Sequence, residues 1–133
     1  MRIAKGLLIV ALMIPSVPTE DTQSKAEREL FPLLRDGLDD SFTVFHSFGT
    51  LTRNIERKFI DGEIDFLIFS PARGLLVLEV KGGSIAYDGS TGLWYQNGRA
   101  MTQSPFEQAN ASKFKLRDYM SNKLGDLHNI VFG

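Results

Sequence analysis

The sequence contains no cysteine and only two histidines, and these absences restrict the sites that it can build. Without cysteine the chain forms neither disulfides nor thiolate metal sites, which is compatible with a reducing compartment. The histidines, His46 and His128, are too few and too far apart in sequence to suggest a zinc site by themselves. We therefore expect a cytoplasmic protein whose functional site uses other side chains.

The chain also lacks an excess of charge of either sign, with 15 Lys and Arg against 16 Asp and Glu. A net charge of −1 provides no general attraction to nucleic acid, so any such contact must come from a local patch. The length of 133 residues predicts one domain, and a hydrophobic content of 43% is sufficient for a core.

No apolar run approaches the roughly 20 residues that a membrane-spanning helix needs. The run Gly6–Ile14, preceded by Arg2 and Lys5, has the shape of a short signal peptide. Pro15 and Pro18 interrupt the place where its cleavage site should be. The alternatives are a disordered or docked extension, or an upstream start codon, and we expect no membrane contact.

The most informative stretch runs from Gly62 to Gly83 and predicts two strands joined by a short turn. The second strand, Leu75–Val80, is strongly apolar, yet it contains Glu79 and leads directly into Lys81. Strands of this kind are usually buried on both faces. A buried charge is costly unless it is paired or binds a metal, so Asp65 and the two later charges require an explanation.

Strand geometry brings these charges together. Side chains two apart share a face, so Glu79 and Lys81 point the same way. If the turn Ser70–Gly74 closes a hairpin, Asp65 lies near them at the adjacent strand end. Carboxylates are ligands that Mg²⁺ prefers, and a nearby lysine can act on a water or stabilise a phosphoryl group. The constellation predicts a metal-dependent phosphodiesterase site.

Two capping boxes predict the starts of two helices. Ser24 and Glu27 form the first, and Ser104 and Glu107 form the second, which begins a helix from Pro105 to about Lys123. Further strands are expected at 43–48, 84–87, 93–95 and 130–132, with a polar and basic loop over 49–61. Asn97-Gly98 predicts a tight turn after the third of these strands. This order of elements predicts an α/β sandwich with a mixed sheet.

The second helix carries an apolar and a basic set of side chains. Its expected buried residues are Phe106, Ala109, Leu116 and Met120. Three of its cations, Lys113, Lys115 and Arg117, are explained first as a solvent-exposed helix face. Their second explanation is contact with nucleic acid, because affinity for DNA needs several such charges together.

These residues resemble a known signature. Asp65 followed by Glu79-Val80-Lys81 resembles that of the PD-(D/E)XK nuclease superfamily. More narrowly, the chain from about Met13 to the last helix resembles the nuclease-related domain (NERD) family. The matching pieces are Met13-Ile14-Pro15, Ala26-Glu27-Arg28, Gly62-Glu63-Ile64-Asp65, Glu79-Val80-Lys81-Gly82-Gly83, Trp94 and Pro105-Phe106-Glu107-Gln108-Ala109. The Glu-x-Lys motif alone is weak, but these pieces in this order are specific.

The resemblance implies a restriction-endonuclease-like core, with a central mixed β-sheet flanked by helices. It implies a nuclease that uses Mg²⁺ (or Mn²⁺) to hydrolyse DNA in DNA processing or repair. Asp65 and Glu79 would bind the metal with the Val80 carbonyl, and Lys81 would act on the attacking water. Two supporting residues on the helices are also implied: Glu27 and Gln108.

Family members of this type start near the Met-Ile-Pro element and continue beyond the last helix, and many carry a helicase or another domain. We therefore assign residues 1–23 to an apolar leader and linker. Residues 24–133 are assigned to a nuclease-related domain truncated at its C-terminal end. The expected partners are DNA and a helicase or other DNA-processing protein.

Each candidate also has a purely structural explanation. Asp65 could be a solvated carboxylate at a strand end, and Glu79 and Lys81 could form a salt bridge there. Glu27 could cap its own helix, and Gln108 could be an exposed helix residue. At the level of function, the alternatives are a non-catalytic nucleic-acid-binding or partner-docking module on the same fold, and an exported interaction protein.

Overall fold

The computed structural model describes residues 2–4, 6–19, 22, 24–55 and 62–133. Its strands are β1 (Arg2–Ala4), β2 (Leu7–Ile9), β3 (Leu12–Ile14), β4 (Thr43–His46), β5 (Phe66–Ser70), β6 (Gly74–Leu78), β7 (Ile85–Asp88), β8 (Leu93–Gln96) and β9 (Arg99–Ala100). Its helices are α1 (Lys25–Gly37), α2 (Phe48–Ile55) and α3 (Pro105–Leu124). The protein is α/β, as predicted. Among the described residues, no helix is long and apolar enough to cross a membrane.

A mixed four-stranded sheet in the order β3-β4-β5-β6 forms the centre of the molecule. Strand β3 runs parallel to β4, and the other neighbours are antiparallel. The predicted hairpin is confirmed, with Phe66 opposite Leu78 and Ser70 opposite Gly74. The C-terminal residues extend this sheet beside β6, where Leu75 N donates to the Val131 carbonyl at 2.9 Å. This arrangement is compatible with a restriction-endonuclease-like core.

Helices cover both faces of the sheet, because side chains alternate along β5. Phe66 and Ile68 pack with Phe31 of α1, whereas Leu67 packs with Leu116 of α3. Both predicted helices are present, and Ser24 and Ser104 each accept a hydrogen bond from the backbone N–H three residues on. The capping box of α3 is complete.

Two expectations about burial are wrong. Strand β6 is not buried on both faces, because Leu76 is 45% exposed. On the same face, only Leu78 among the described β6 side chains packs against the core cluster around Phe31 of α1, which we call the α1 cluster. Phe106 is 70% exposed rather than buried. Helix α3 packs on the central sheet through Leu116 and its neighbours, whereas Phe106 contacts Trp94 of β8.

The predicted loop over 49–61 is also wrong in its first half, which is helix α2. A side chain from outside the helix stabilises its start: Glu63 Oε2 accepts from Thr50 N at 3.2 Å and from Thr50 Oγ1 at 2.7 Å. A cap from thirteen residues away cannot be recognised in a local window. Arg57 and Lys58 of the predicted loop lie outside the described residues.

Part of the N-terminal segment belongs to the central sheet. Strand β3 pairs with β4, and Ala11 and Met13 are buried in the α1 cluster at 3% and 6% exposure. Docking was one of the alternatives for this segment. The division of the chain into 1–23 and 24–133 stays a prediction.

Candidate functional site

The charged residues of the hairpin converge at the end opposite its turn. Asp65 precedes β5 and Glu79 follows β6, so they flank the terminal Phe66–Leu78 pair. Asp65 Oδ2 accepts a hydrogen bond from Val80 N at 2.8 Å, which ties the two strand ends together. Lys81 Nζ lies 2.8 Å from Glu79 Oε1, and both side chains are mostly buried.

Helix α1 adds a third carboxylate to this place. Glu27, in the first turn of α1, lines the same cleft as Asp65, Glu79 and Lys81, and the cleft volume is about 770 Å³. Its carboxylate does not complete the predicted capping box, because Glu27 Oε2 lies 2.8 Å from His46 Nε2. We call this cavity the acidic cleft, after its charged lining residues Glu27, Asp65, Glu79 and Lys81.

The electrostatics of the acidic cleft disfavour an ionised Asp65. The pKa of Asp65 is raised to about 6, mainly by burial and to a smaller extent by the negative charges of Glu79 and Glu27. The hydrogen bond from Val80 N and the charge of Lys81 act in the opposite direction. A cation placed among these carboxylates would relieve this cost.

The oxygen ligands of the acidic cleft fit a hard cation that binds few protein groups and keeps several waters. Within the described residues, no group of three or more His, Cys, Asp or Glu side chains is arranged to hold a metal ion. Mg²⁺, however, is commonly held by one or two carboxylates and keeps several waters. Asp65 and Glu79 supply two such carboxylates, and the Val80 carbonyl is a further oxygen at the same strand end.

His46 is a component of the site that the sequence interpretation missed. It is fully buried on β4, its ring lies 4.7 Å from that of Phe66, and its Nδ1 has no hydrogen-bond partner in the described part of the chain. A proton on Nδ1 would therefore be a buried unsatisfied donor, so we assign the proton to Nε2, which donates to Glu27. The available signal was the alternation in β4, which puts Val44 and His46 on one face.

The two glycines after Lys81 allow other elements to approach the acidic cleft. A Cβ on Gly82 would lie 3.2 Å from the Ala26 side chain of α1. Gly83 has φ +79°, and a Cβ there would collide with the Asn97 side chain. Gln96 Nε2 donates to the Gly82 carbonyl at 2.9 Å. The three-stranded sheet β7-β8-β9, which we call the small sheet, is thus attached to this turn.

The other predicted residues lie outside the acidic cleft. Gln108 lines an adjoining groove, and its Nε2 donates to the Gln103 carbonyl at 3.2 Å. Lys113 and Arg117 line another groove together, whereas Lys115 lies near Gly62. These three of the four α3 cations therefore do not form one patch.

Comparison with known proteins places the chain in a family. A family model described as the nuclease-related domain matches residues 22–132, a range that contains every residue of the acidic cleft. No curated protein and no solved structure matches the chain. Since the match covers more than half of the 133 residues, the chain belongs to the nuclease-related domain family.

Proposed function

We propose that this domain is a Mg²⁺-dependent (or Mn²⁺-dependent) nuclease that hydrolyses DNA phosphodiester bonds in DNA processing or repair. The observation that carries the proposal is the acidic cleft, where three carboxylates and one amine from three separate parts of the chain lie together. Membership of the nuclease-related domain family supports a nuclease-type activity.

Asp65, Glu79 and the Val80 carbonyl would hold the metal ion in this proposal. Such an ion, when bound, lowers the pKa of a water and neutralises charge on the phosphoryl group. Glu27 adds a third negative charge beside Asp65, and His46 holds its carboxylate in place. The raised pKa of Asp65 supports this role, because it reports a carboxylate held in an unfavourable environment.

Lys81 contributes the positive charge that faces the substrate. Its Nζ is held 2.8 Å from Glu79 Oε1, which restrains the side chain and leaves two N–H groups for other acceptors. These groups donate to the attacking water and to a non-bridging phosphoryl oxygen. Attack by water forms one P–O bond and breaks another, and a proton of the water passes to the leaving oxygen.

The remaining predicted residues have supporting roles in the proposal. Gln108 would contact the DNA strand from the adjoining groove. Lys113 and Arg117, which share a groove, would contact phosphates further away, and Lys115 would do so from its separate position. A cytoplasmic location and a helicase or other DNA-processing partner also remain part of the proposal.

Replacement of Lys81 tests the proposal directly. We expect wild-type protein with Mg²⁺ to cut or nick plasmid DNA, and Lys81→Ala to lose at least about 100-fold in rate, a typical loss for a positioned proton-transfer or charge-stabilising group. Lys123→Ala is the matched control, since Lys123 lies at the far end of α3 and lines a different cavity. Equal cleavage by wild type and Lys81→Ala would refute the assignment.

A non-catalytic DNA-binding or docking module on this fold is the second candidate function. The observation that favours it is the Lys81–Glu79 ion pair, which satisfies both charges without a metal. A Mn²⁺ titration of wild type and Asp65→Ala separates the two. Metal binding that is lost in Asp65→Ala supports the nuclease, whereas DNA affinity with neither metal binding nor hydrolysis selects the module.

A further inference from the structure

A polar groove on the small sheet continues from the acidic cleft. The groove has a volume of about 610 Å³, and the residues with polar side chains that line it are Gln96, Asn97, Arg99, Thr102 and Gln108. Gln96 and Asn97 also line the acidic cleft, so the two cavities adjoin. A chain molecule lying in one would reach the other.

Hydrogen bonds fix this groove relative to Lys81. Gln96 Nε2 donates to the Gly82 carbonyl, and Ser84 N donates to Asn97 Oδ1, both at 2.9 Å. Arg99 is the direct partner of Gln96 across the β8–β9 ladder. Cross-strand partners share a face with their Cβ atoms about 5 Å apart, so Arg99 lies one side chain further than Gln96 from the turn that follows Lys81.

The charge of the groove is opposite to that of the acidic cleft. Among the described residues that line it, none is Asp or Glu, and Arg99 is an exposed cation. In the described part of the chain, the Arg99 guanidinium makes no hydrogen bond or ion pair. A guanidinium of this kind matches the geometry of a phosphate, to which it can donate two parallel hydrogen bonds.

A nucleic-acid strand bound in the acidic cleft needs a cation near its phosphates. The carboxylates of the acidic cleft repel the phosphates on each side of the one undergoing reaction, and a nearby cation offsets this repulsion. As far as the described residues show, the α3 groove of Lys113 and Arg117 shares no lining residue with the acidic cleft. Arg99 is therefore better placed than those cations to contact the phosphates next to the reacting one.

We infer that the β8–β9 groove binds a DNA strand as it enters the acidic cleft, and that Arg99 contacts a flanking phosphate. This inference rests on the proposed function, because it names the path of that function's substrate. It assigns a substrate-binding role to the turn Asn97-Gly98, which the sequence identified only as a tight turn, and to β9.

The experiment is a charge reversal measured by DNA binding. The fluorescence anisotropy of a labelled DNA oligonucleotide is followed in EDTA, where no metal-dependent cleavage occurs, at several salt concentrations. We expect Arg99→Glu to raise Kd at least about tenfold and to reduce the slope of log K against log salt by about one, as the loss of one phosphate contact predicts.

Arg73→Glu is the matched control, because Arg73 is an exposed cation in the β5–β6 turn, at the opposite end of the hairpin. It makes the same charge change and should leave Kd within about twofold and the salt slope unchanged. Melting temperatures of both variants report folding. Arg99→Lys, which keeps the charge, should weaken binding less than Arg99→Glu.

Equal loss of affinity in Arg99→Glu and Arg73→Glu would overturn the inference, since it would indicate a general effect of charge. Wild-type protein that binds no DNA would overturn it as well, and preferential binding of an RNA of the same sequence would replace its substrate class. These outcomes are distinct from failure of the proposed function, which is measured by metal-dependent cleavage and by Lys81→Ala.

Discussion

At the scale of single residues, the pair Glu27 and His46 changes how the site is understood. Glu27 has two possible uses, as the cap of its own helix and as a member of the acidic cleft. The carboxylate points to His46 Nε2 at 2.8 Å, and Ser24 alone provides the side-chain cap of α1. His46 is packed between Phe31 and Phe66, so it holds Glu27 from a rigid position.

We expect His46→Phe to lower the rate of DNA cleavage about tenfold with little change in KM. Phenylalanine retains the aromatic packing but removes the one hydrogen bond to Glu27, and a single such bond corresponds to roughly this factor. The readouts are kcat, KM and the melting temperature. His128→Phe is the control, because His128 is exposed and pairs with Asp126.

If His46 acts through Glu27, the substitution should have no further effect on kcat in a Glu27→Ala background. A full tenfold additional loss in that background would show that His46 acts by another route. A large fall in melting temperature together with unchanged kcat would assign His46 to packing alone.

At the scale of elements, the turn from Glu79 to Gly83 joins three parts of the molecule. It follows β6, packs against Ala26 of α1 at Gly82 and lies against Asn97 of the small sheet at Gly83. Lys81 lies directly before these contacts. The two glycines of the motif are therefore explained by close approach and by backbone conformation, independently of any chemistry.

Gly83→Ala should destabilise the protein more than Gly92→Ala. Both glycines have positive φ, +79° and +71°, so both substitutions cost about 1 kcal/mol of backbone energy. Only at Gly83 does the added methyl also collide with Asn97, whereas nothing lies within 4 Å of a Cβ at Gly92. Urea denaturation of the two variants measures the difference, and equal midpoints would contradict this account of the motif.

At the scale of the whole molecule, the acidic cleft carries an electrostatic cost to folding. Asp65 is partly buried near Glu79 and Glu27, and its pKa is raised to about 6, first by burial and then by these charges. Between pH 3.8 and about 6 the folded protein keeps a proton on Asp65 that the unfolded chain has released. This contribution to stability is therefore complete below pH 3.8 and is lost as pH rises through about 6.

In EDTA, we expect Asp65→Asn to be more stable than wild type at pH 7 and equally stable near pH 4. A shift of about two pKa units corresponds to almost 3 kcal/mol, which partial exposure reduces to about 1–2 kcal/mol. Asparagine keeps an acceptor for Val80 N, so the variant tests charge rather than the hydrogen bond. Urea denaturation across this pH range measures both curves.

The lowered pKa values of the exposed carboxylates Asp36, Asp88 and Asp126 act in the opposite direction, at the acid end of the range, and they are common to both proteins. The comparison between the curves therefore isolates Asp65. Parallel curves for wild type and Asp65→Asn from pH 4 to pH 7 would show that Asp65 is not in a strained electrostatic environment.

The sequence by itself determined those features that depend on neighbours along the chain. Alternation and a turn predicted the β5–β6 hairpin, and the Asn97-Gly98 pair predicted the turn into β9, where both residues have positive φ. Capping residues predicted the starts of α1 and α3. Because a hairpin fixes which residues lie opposite each other, the sequence also brought Asp65, Glu79 and Lys81 together.

Only the tertiary structure decided the features that depend on distant partners. The use of Glu27 was decided by a histidine 19 positions away, and the start of α2 by Glu63 from a later segment. The exposure of Leu76 and Phe106 follows from how far each helix extends over the sheet. The position of Arg99 beside the acidic cleft follows from the docking of the small sheet. The physical reason is that a pattern along the chain reports the preference of a segment, whereas pairing and burial depend on which surfaces meet when all segments pack together.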